Sequence, residues 1–258
     1  MELHLLVYNF CLNHALYPVT FTALMRRCPI LHGLPVATQL TATSPHSTCT
    51  HRFLSRLLWL AWLAPLTAFA FPTDLFGSTQ TQQTDIRVFP QWIQVLERHL
   101  REDVADGDCS DPKFNRCHLA QWFAFLKSIK NLPRDEQLDK VNQYANNMHY
   151  VLDIDNYGVE DYWAIPREFL AKGGDCEDYA ITKLFSLRWL NYPIDDARIV
   201  VLQDTNLRVP HAVLAVARGN DIAILDNQIS QVVSHHDIVH YRPVYSVNES
   251  HWWIHVPK

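Results

Sequence analysis

The sequence predicts an α+β domain, N-terminal helices packed on an antiparallel sheet, and three observations carry that expectation. Apolar residues recur at spacings of three and four through about 90–152, the period of helices with one buried face. Short apolar runs bounded by turn residues follow between 198 and 247. Two of those runs are joined only by Gly219-Asn220, which makes them a hairpin and so an antiparallel pair. Helices first and antiparallel strands second describe this class rather than an alternating α/β one.

Taken in order, the chain opens with a stretch of different character. Up to Ala70 it holds a single acid, Glu2, and four basic residues, Arg26, Arg27, Arg52 and Arg56. Of the chain's 27 acidic and 22 basic residues, 26 and 18 therefore lie in 71–258. That net charge of −8 argues against a nucleic-acid partner, which wants a basic face. Arg52 and Arg56 precede an apolar run over 57–68, and Ala68-Phe69-Ala70 supplies a small-x-small pattern. The segment 51–70 reads as a secretory signal peptide cut after Ala70, and 1–50 as an over-extended start or leader. An exported, soluble mature chain is expected, long enough for one domain with an adequate core.

Cysteine use fits export. Cys11, Cys28 and Cys49 fall in the leader, leaving Cys109, Cys117 and Cys176. In an oxidising compartment Cys109 and Cys117 either bridge across a short loop, or Cys117 simply sits buried on a helix; Cys176 is the odd one left free.

Residues 71–88, rich in Thr and Gln, read as a flexible tether ahead of a domain over 89–258. Helices are expected at 90–103 (Trp92, Val95, Leu96, Leu100), at 113–130 (Cys117, Trp122, Phe125, Leu126, Ile129) and at 134–152 (Leu138, Val141, Ala145, Met148, Leu152). Pro166 suits the first position of a short helix. A further helix begins at Cys176, turns Ala180, Ile181, Leu184 and Leu187 inward and ends near Asn191, ahead of Pro193. Strands are expected at 198–203, 211–218, 221–226 and 241–247, with Trp252-Trp253 closing the chain.

The chemistry concentrates where that last helix starts. Gly173-Gly174 is followed by Asp175-Cys176-Glu177-Asp178, so one cysteine sits among unpaired N–H groups that stabilise a thiolate. The three carboxylates oppose that shift, and the arrangement makes sense only if a bound hard cation neutralises them. The hairpin supplies partners: with 218 facing 221, residue 213 faces 226, which puts His211 and Asp226 on one side as diagonal neighbours. Cysteine on a helix start with His and Asp on adjacent strands is the nucleophile, base and orienting acid of a thiol acyl-transfer enzyme. The backbone N–H of Cys176 is a natural oxyanion donor.

Other signals weigh less. The run from Asp153 to Gly158 begins like an EF-hand loop but fails at Tyr157 and at Ala164, so it reads as a turn whose oxygens could still lie beside Asp175. His235, His236 and His240 suggest zinc by composition, yet the flanking Val and Ser pattern is not helical and favours exposed loop histidines. Trp163 and Trp252-Trp253 read as core or as a groove lining.

At these residues the chain resembles the bacterial transglutaminase-like cysteine proteinases of the LapG type. The resemblance runs from about Val141 to Trp253 through Asp161-Tyr-Trp-Ala-Ile-Pro-Arg-Glu168, the run from Gly173 to Lys183, Pro210-His211-Ala-Val-Leu, Leu225-Asp226-Asn227 and the run from Pro243 to Asn248. It departs at Ala212, where that family often has Met. The resemblance implies a papain-like, transglutaminase-like fold and a catalytic Cys176, His211 and Asp226. It implies calcium held by Asp175, Glu177 and Asp178. It further implies a periplasmic endopeptidase that cleaves the N-terminal region of a large surface adhesin, promoting biofilm dispersal, and is sequestered by an inner-membrane cyclic-di-GMP receptor. A protein transglutaminase with the same triad, and a calcium-dependent binding module with an inactive triad, are the alternatives.

Overall fold

The computed structural model describes residues 71–101 and 117–258; the leader, the signal peptide, Cys109 and the expected helix start at 113–116 lie outside the described residues. In chain order the elements are β1 (Ser78–Gln83), α1 (Pro90–Arg101), α2 (Cys117–Ile129), α3 (Arg134–Asn146), the single turn α4 (Asp153–Asn156), α5 (Pro166–Lys172), α6 (Cys176–Trp189), β2 (Ala197–Asp204), β3 (Val209–Arg218), β4 (Asp221–Leu225), β5 (Val233–Ser234), β6 (Tyr241–Val247) and β7 (Trp252–Pro257). The strands form one sheet in the order β1-β7-β6-β2-β3-β4-β5, with every neighbouring pair antiparallel. No described helix is long and apolar enough to cross a membrane.

Strand alternation gives the sheet two buried faces. Ile199, Leu214, Val216, Ala223 and Leu225 point to the helices, where α6 lies across β2 and β3 with Ile181, Leu184 and Leu187 fully buried. Trp92 of α1 is also fully buried, and its indole N–H donates to the Asn248 carbonyl at 2.9 Å. Val200, Leu202, Val213, Ala215, Ile222 and Ile224 point the other way, under Phe71, Leu75, Ile238 and Tyr241. Both layers are apolar enough that β2 and β3 read as nearly continuous hydrophobic runs.

Three expectations change. The segment read as a tether is built into the fold: β1 pairs with β7 from Ser78↔Pro257 to Gln83↔Trp252, and Leu75 is fully buried. Phe71 and Trp253 stack on the Arg198 guanidinium, 3.8 and 3.4 Å from the two ring centres. The helix expected over 134–152 stops at Asn146, leaving Leu152 half exposed, because the chain turns so that Val151 N–H reaches the Gly174 carbonyl at 3.0 Å. Gly173 makes that approach possible: its φ is +80°, and a Cβ there would lie 2.3 Å from the His149 carbonyl. Finally, the closing Trp252-Trp253 is the start of a full strand, β7.

Candidate active site

β3 and β4 pair from Arg218↔Asp221 to Leu214↔Leu225, the register that the short hairpin link imposes. Beyond Leu225 the strand β4 has ended while β3 continues, paired only with β2 as far as Val209↔Asp204. At this open edge the residues expected from the sequence come together. His211 Nε2 lies 2.9 Å from Asp226 Oδ1, both side chains buried. The carboxylate can only accept, so His211 is the Nε2–H tautomer and its Nδ1 keeps a lone pair. Asp226 also accepts from Gln228 N–H at 2.9 Å and, on Oδ2, from the Tyr241 hydroxyl at 2.7 Å. Burial acts to raise the Asp226 pKa, but the bond and charge of His211, with the Gln228 and Tyr241 donors, outweigh it and hold the acid below its ordinary value.

Cys176 is the first residue of α6, partly accessible, and is the free thiol among the described residues; Cys117 is disulfide-bonded. The N–H of Ala212, next to His211, lies close enough to the Cys176 thiol to act on it in favour of the thiolate, so the thiol sits near the open edge of β3. The thiol itself donates to Glu177 Oε2 at 3.2 Å. Burial first, then the charges of Glu177 and Asp175, push the thiol well above its ordinary pKa. Within α6 the first backbone bonds run from Asp178 and Tyr179 N–H to the Asp175 carbonyl, so the amides of Cys176 and Glu177 are left over from the helix ladder.

The acids form two adjoining groups around Asp153. Asp175 and Asp178 gather with Asp153, whereas Glu177 gathers with Asp153 and Asp161, the oxygens of each group within 4.8 Å of one another. Asp178 is fully buried, accepts from Ala164 N–H at 2.6 Å, and sits where a Cβ on Gly174 would come within 2.0 Å of its Oδ2. One oxygen each of Asp153 and Asp175 is buried with no hydrogen-bond partner among the described residues. Burial raises all five acids, and repulsion adds to it for all but Asp161: Asp153 is pushed up to about 6, and Glu177 and Asp178 well above the usual range. Clustered oxygens, orphaned lone pairs and unfavourable ionisation, with no soft donor among them, are features by which these residues could hold a hard cation.

Asp153 and Asp161 were not among the site residues read from the sequence, although the failed EF-hand loop pointed at the first. Tyr241 and the buried Lys183 were missed as well. His235 is not an exposed loop residue: it is buried, and its Nδ1 accepts from Phe76 N–H at 3.1 Å. That bond makes Nε2 an N–H, which cannot ligate a metal even though Asp74 and His236 lie close by.

A family model described as bacterial transglutaminase-like cysteine proteinase matches residues 109–258. Among solved structures the fold is similar to Legionella pneumophila LapG, with 31% identity and a TM-score of 0.50 over 64% of this chain and 86% of that one. The calcium-bound form of that protein matches at 30% identity and TM-score 0.50, over 63% of this chain and 86% of that one. Its EGTA-treated form matches at 31% and 0.50, over 64% and 84%. No curated protein sequence matches the chain.

Proposed function

Because the chain belongs to the bacterial transglutaminase-like cysteine proteinases, we propose that it is a calcium-dependent cysteine endopeptidase with Cys176 as nucleophile, His211 as base and Asp226 as the acid that orients it. The observation that carries this reading is the 2.9 Å bond from His211 Nε2 to Asp226, which leaves Nδ1 free next to Ala212, the strand residue whose N–H acts on the thiol. His211 takes the proton of Cys176 on Nδ1, and the thiolate adds to a peptide carbonyl. The amide of Cys176, unused by the helix, donates to the oxyanion. His211 then returns its proton to the leaving amine, a thioester remains on Cys176, and water activated by His211 hydrolyses it.

Asp175, Glu177 and Asp178 were the calcium ligands expected; Asp153 and Asp161 complete the two groups of oxygens that would hold the ion. Calcium bound there supplies positive charge that offsets the carboxylates around the thiol and fixes the start of α6. The calcium-bound form of the similar protein supports that choice of metal. The substrate is the N-terminal region of a large surface adhesin, cut in the periplasm, with an inner-membrane cyclic-di-GMP receptor as regulator and biofilm dispersal as the outcome. This part rests on the family resemblance and the signal-peptide pattern.

The test needs no substrate: the alkylation rate of Cys176 by iodoacetamide is followed across pH 5–9, with calcium and with chelator. The proposal expects a rate that stays high near pH 6 with calcium and falls with chelator or with His211→Ala. A rate that rises only above pH 8 and ignores calcium sinks it.

A further inference from the structure

Lys183 is fully buried, and its Nζ has no hydrogen-bond partner among the described residues. The ring face of Tyr179, one turn earlier, is 5.8 Å away. An ammonium without a partner in an apolar layer is costly, and methionine would fill the same space without that cost. Its place suggests what the charge does. Lys183 follows Cys176 by two helical turns on the same side of α6, the helix that lies across β3. It is within electrostatic reach of Asp226, and burial pushes it down to about 7 against that attraction.

Asp226 in turn lacks a standing counter-charge. It has no solvent exposure, and its three donors, His211, Gln228 N–H and Tyr241, are neutral except when His211 is protonated. Asn146 of α3 holds the Asp226 backbone, donating to its carbonyl at 2.8 Å, so the acid is fixed to the helix layer at its main chain as well. His211, Gln228 and Tyr241 hold Asp226 below its ordinary value against burial, and a positive charge within reach acts in the same direction; a protonated Asp226 would no longer fix the His211 tautomer.

We infer that Lys183 is a positioning residue of the active site: from its buried place on α6 its ammonium adds to the donors that keep Asp226 ionised, and thereby helps keep Nδ1 of His211 free for the thiol. The inference rests on the triad reading above. The titratable groups around Asp226 are His211 from β3, Tyr241 from β6 and Lys183 from α6; those around Lys183 are Asp226 and Tyr179.

The experiment is a double-mutant cycle of Lys183→Met and Asp226→Asn in the full chain, read by thermal denaturation and by the pH profile of Cys176 alkylation. Lys183→Met alone should lower the Tm and move the acid limb of the profile upward by about one to two pH units. In the Asp226→Asn background the same substitution should raise the Tm, because it then removes a lone buried charge, and should slow alkylation no further. An unmoved acid limb, or a Tm change of the same sign in both backgrounds, overturns the inference. If Lys183→Met fails to fold but the double variant folds, the coupling stands; if neither folds, Lys183 is structural and the inference fails. Should the parent thiol prove unreactive, the triad reading fails, and the thermal cycle alone decides whether Lys183 and Asp226 are coupled.

Discussion

Tyr241 has the most direct unassigned contact with the proposed machinery. Its hydroxyl reaches Asp226 Oδ2 at 2.7 Å, and its ring meets that of His211 edge-on at 5.7 Å. Burial, then the charge of Asp226, pushes the phenol above the ordinary tyrosine range, so it stays a donor at every pH at which the enzyme works. A hydrogen bond to a charged acceptor contributes about 1.5–3 kcal/mol. Tyr241→Phe should therefore slow Cys176 alkylation at pH 6 by about ten- to a hundredfold, with the change in Tm confined to a few degrees; an unchanged rate would show that Asp226 does not need the third donor. The His211–Asp226 pair was legible because two turn residues fix the hairpin register. Tyr241 was not, because it lies on β6, whose pairing with β2 shifts between Val201 and Leu202 and follows from no local pattern. Lys183 left a faint signal, a charged residue at the spacing of the inward stripe formed by Ala180 and Leu187.

Among the elements, the start of α6 and the strand β1 show what pattern reading reaches and where it stops. The helix was evident from its glycine pair, its acids and its apolar stripe. That Gly174 gives Asp178 its room was not, since the contact is three-dimensional. Gly174→Ala would displace the Asp178 carboxylate, and the expected result is a weaker rise of Tm on adding calcium than the parent shows; an equal rise would place the ion elsewhere. Strand β1 was missed because Ser-Thr-Gln-Thr-Gln-Gln has no apolar alternation, the outer edge of the sheet being largely exposed. Helix α3 was overextended for the opposite reason: its apolar period continues to Leu152 although the backbone leaves at Asn146 to meet Gly174. Leu75→Ala, in the segment first read as a tether, should cost about 2–5 kcal/mol in denaturant unfolding. A cost near zero would restore the tether.

For the molecule as a whole, buried histidines contribute a loss of stability on the acid side. Ser78 donates to the Leu75 carbonyl at 2.7 Å and accepts from His255 Nδ1–H at 2.9 Å, while His255 Nε2 accepts from Ser246 at 2.9 Å. Burial, then the charge of Arg198, pushes His255 down to about 4, below its unfolded value of 6.5. The folded state thus prefers the neutral ring: this stability is fully present above pH 6.5 and is lost as pH falls from 6.5 toward 4. It amounts to about 2–3 kcal/mol, and unfolding at pH 7 and at pH 4.5 should show it, with His255→Gln flattening the difference. His99, likewise pushed down to about 4 by burial, adds in the same direction. The pairing of β1 with β7 acts on a different axis, time. Ser78 and His255 are 177 residues apart, and β7 is the only strand among the described residues that β1 pairs with. A chain made from its N-terminus carries β1 without that partner until β7 has been made, so this edge of the sheet closes late in folding. The polar, glutamine-rich sequence that hid this strand from pattern reading also offers passing chains no apolar face to join while it waits.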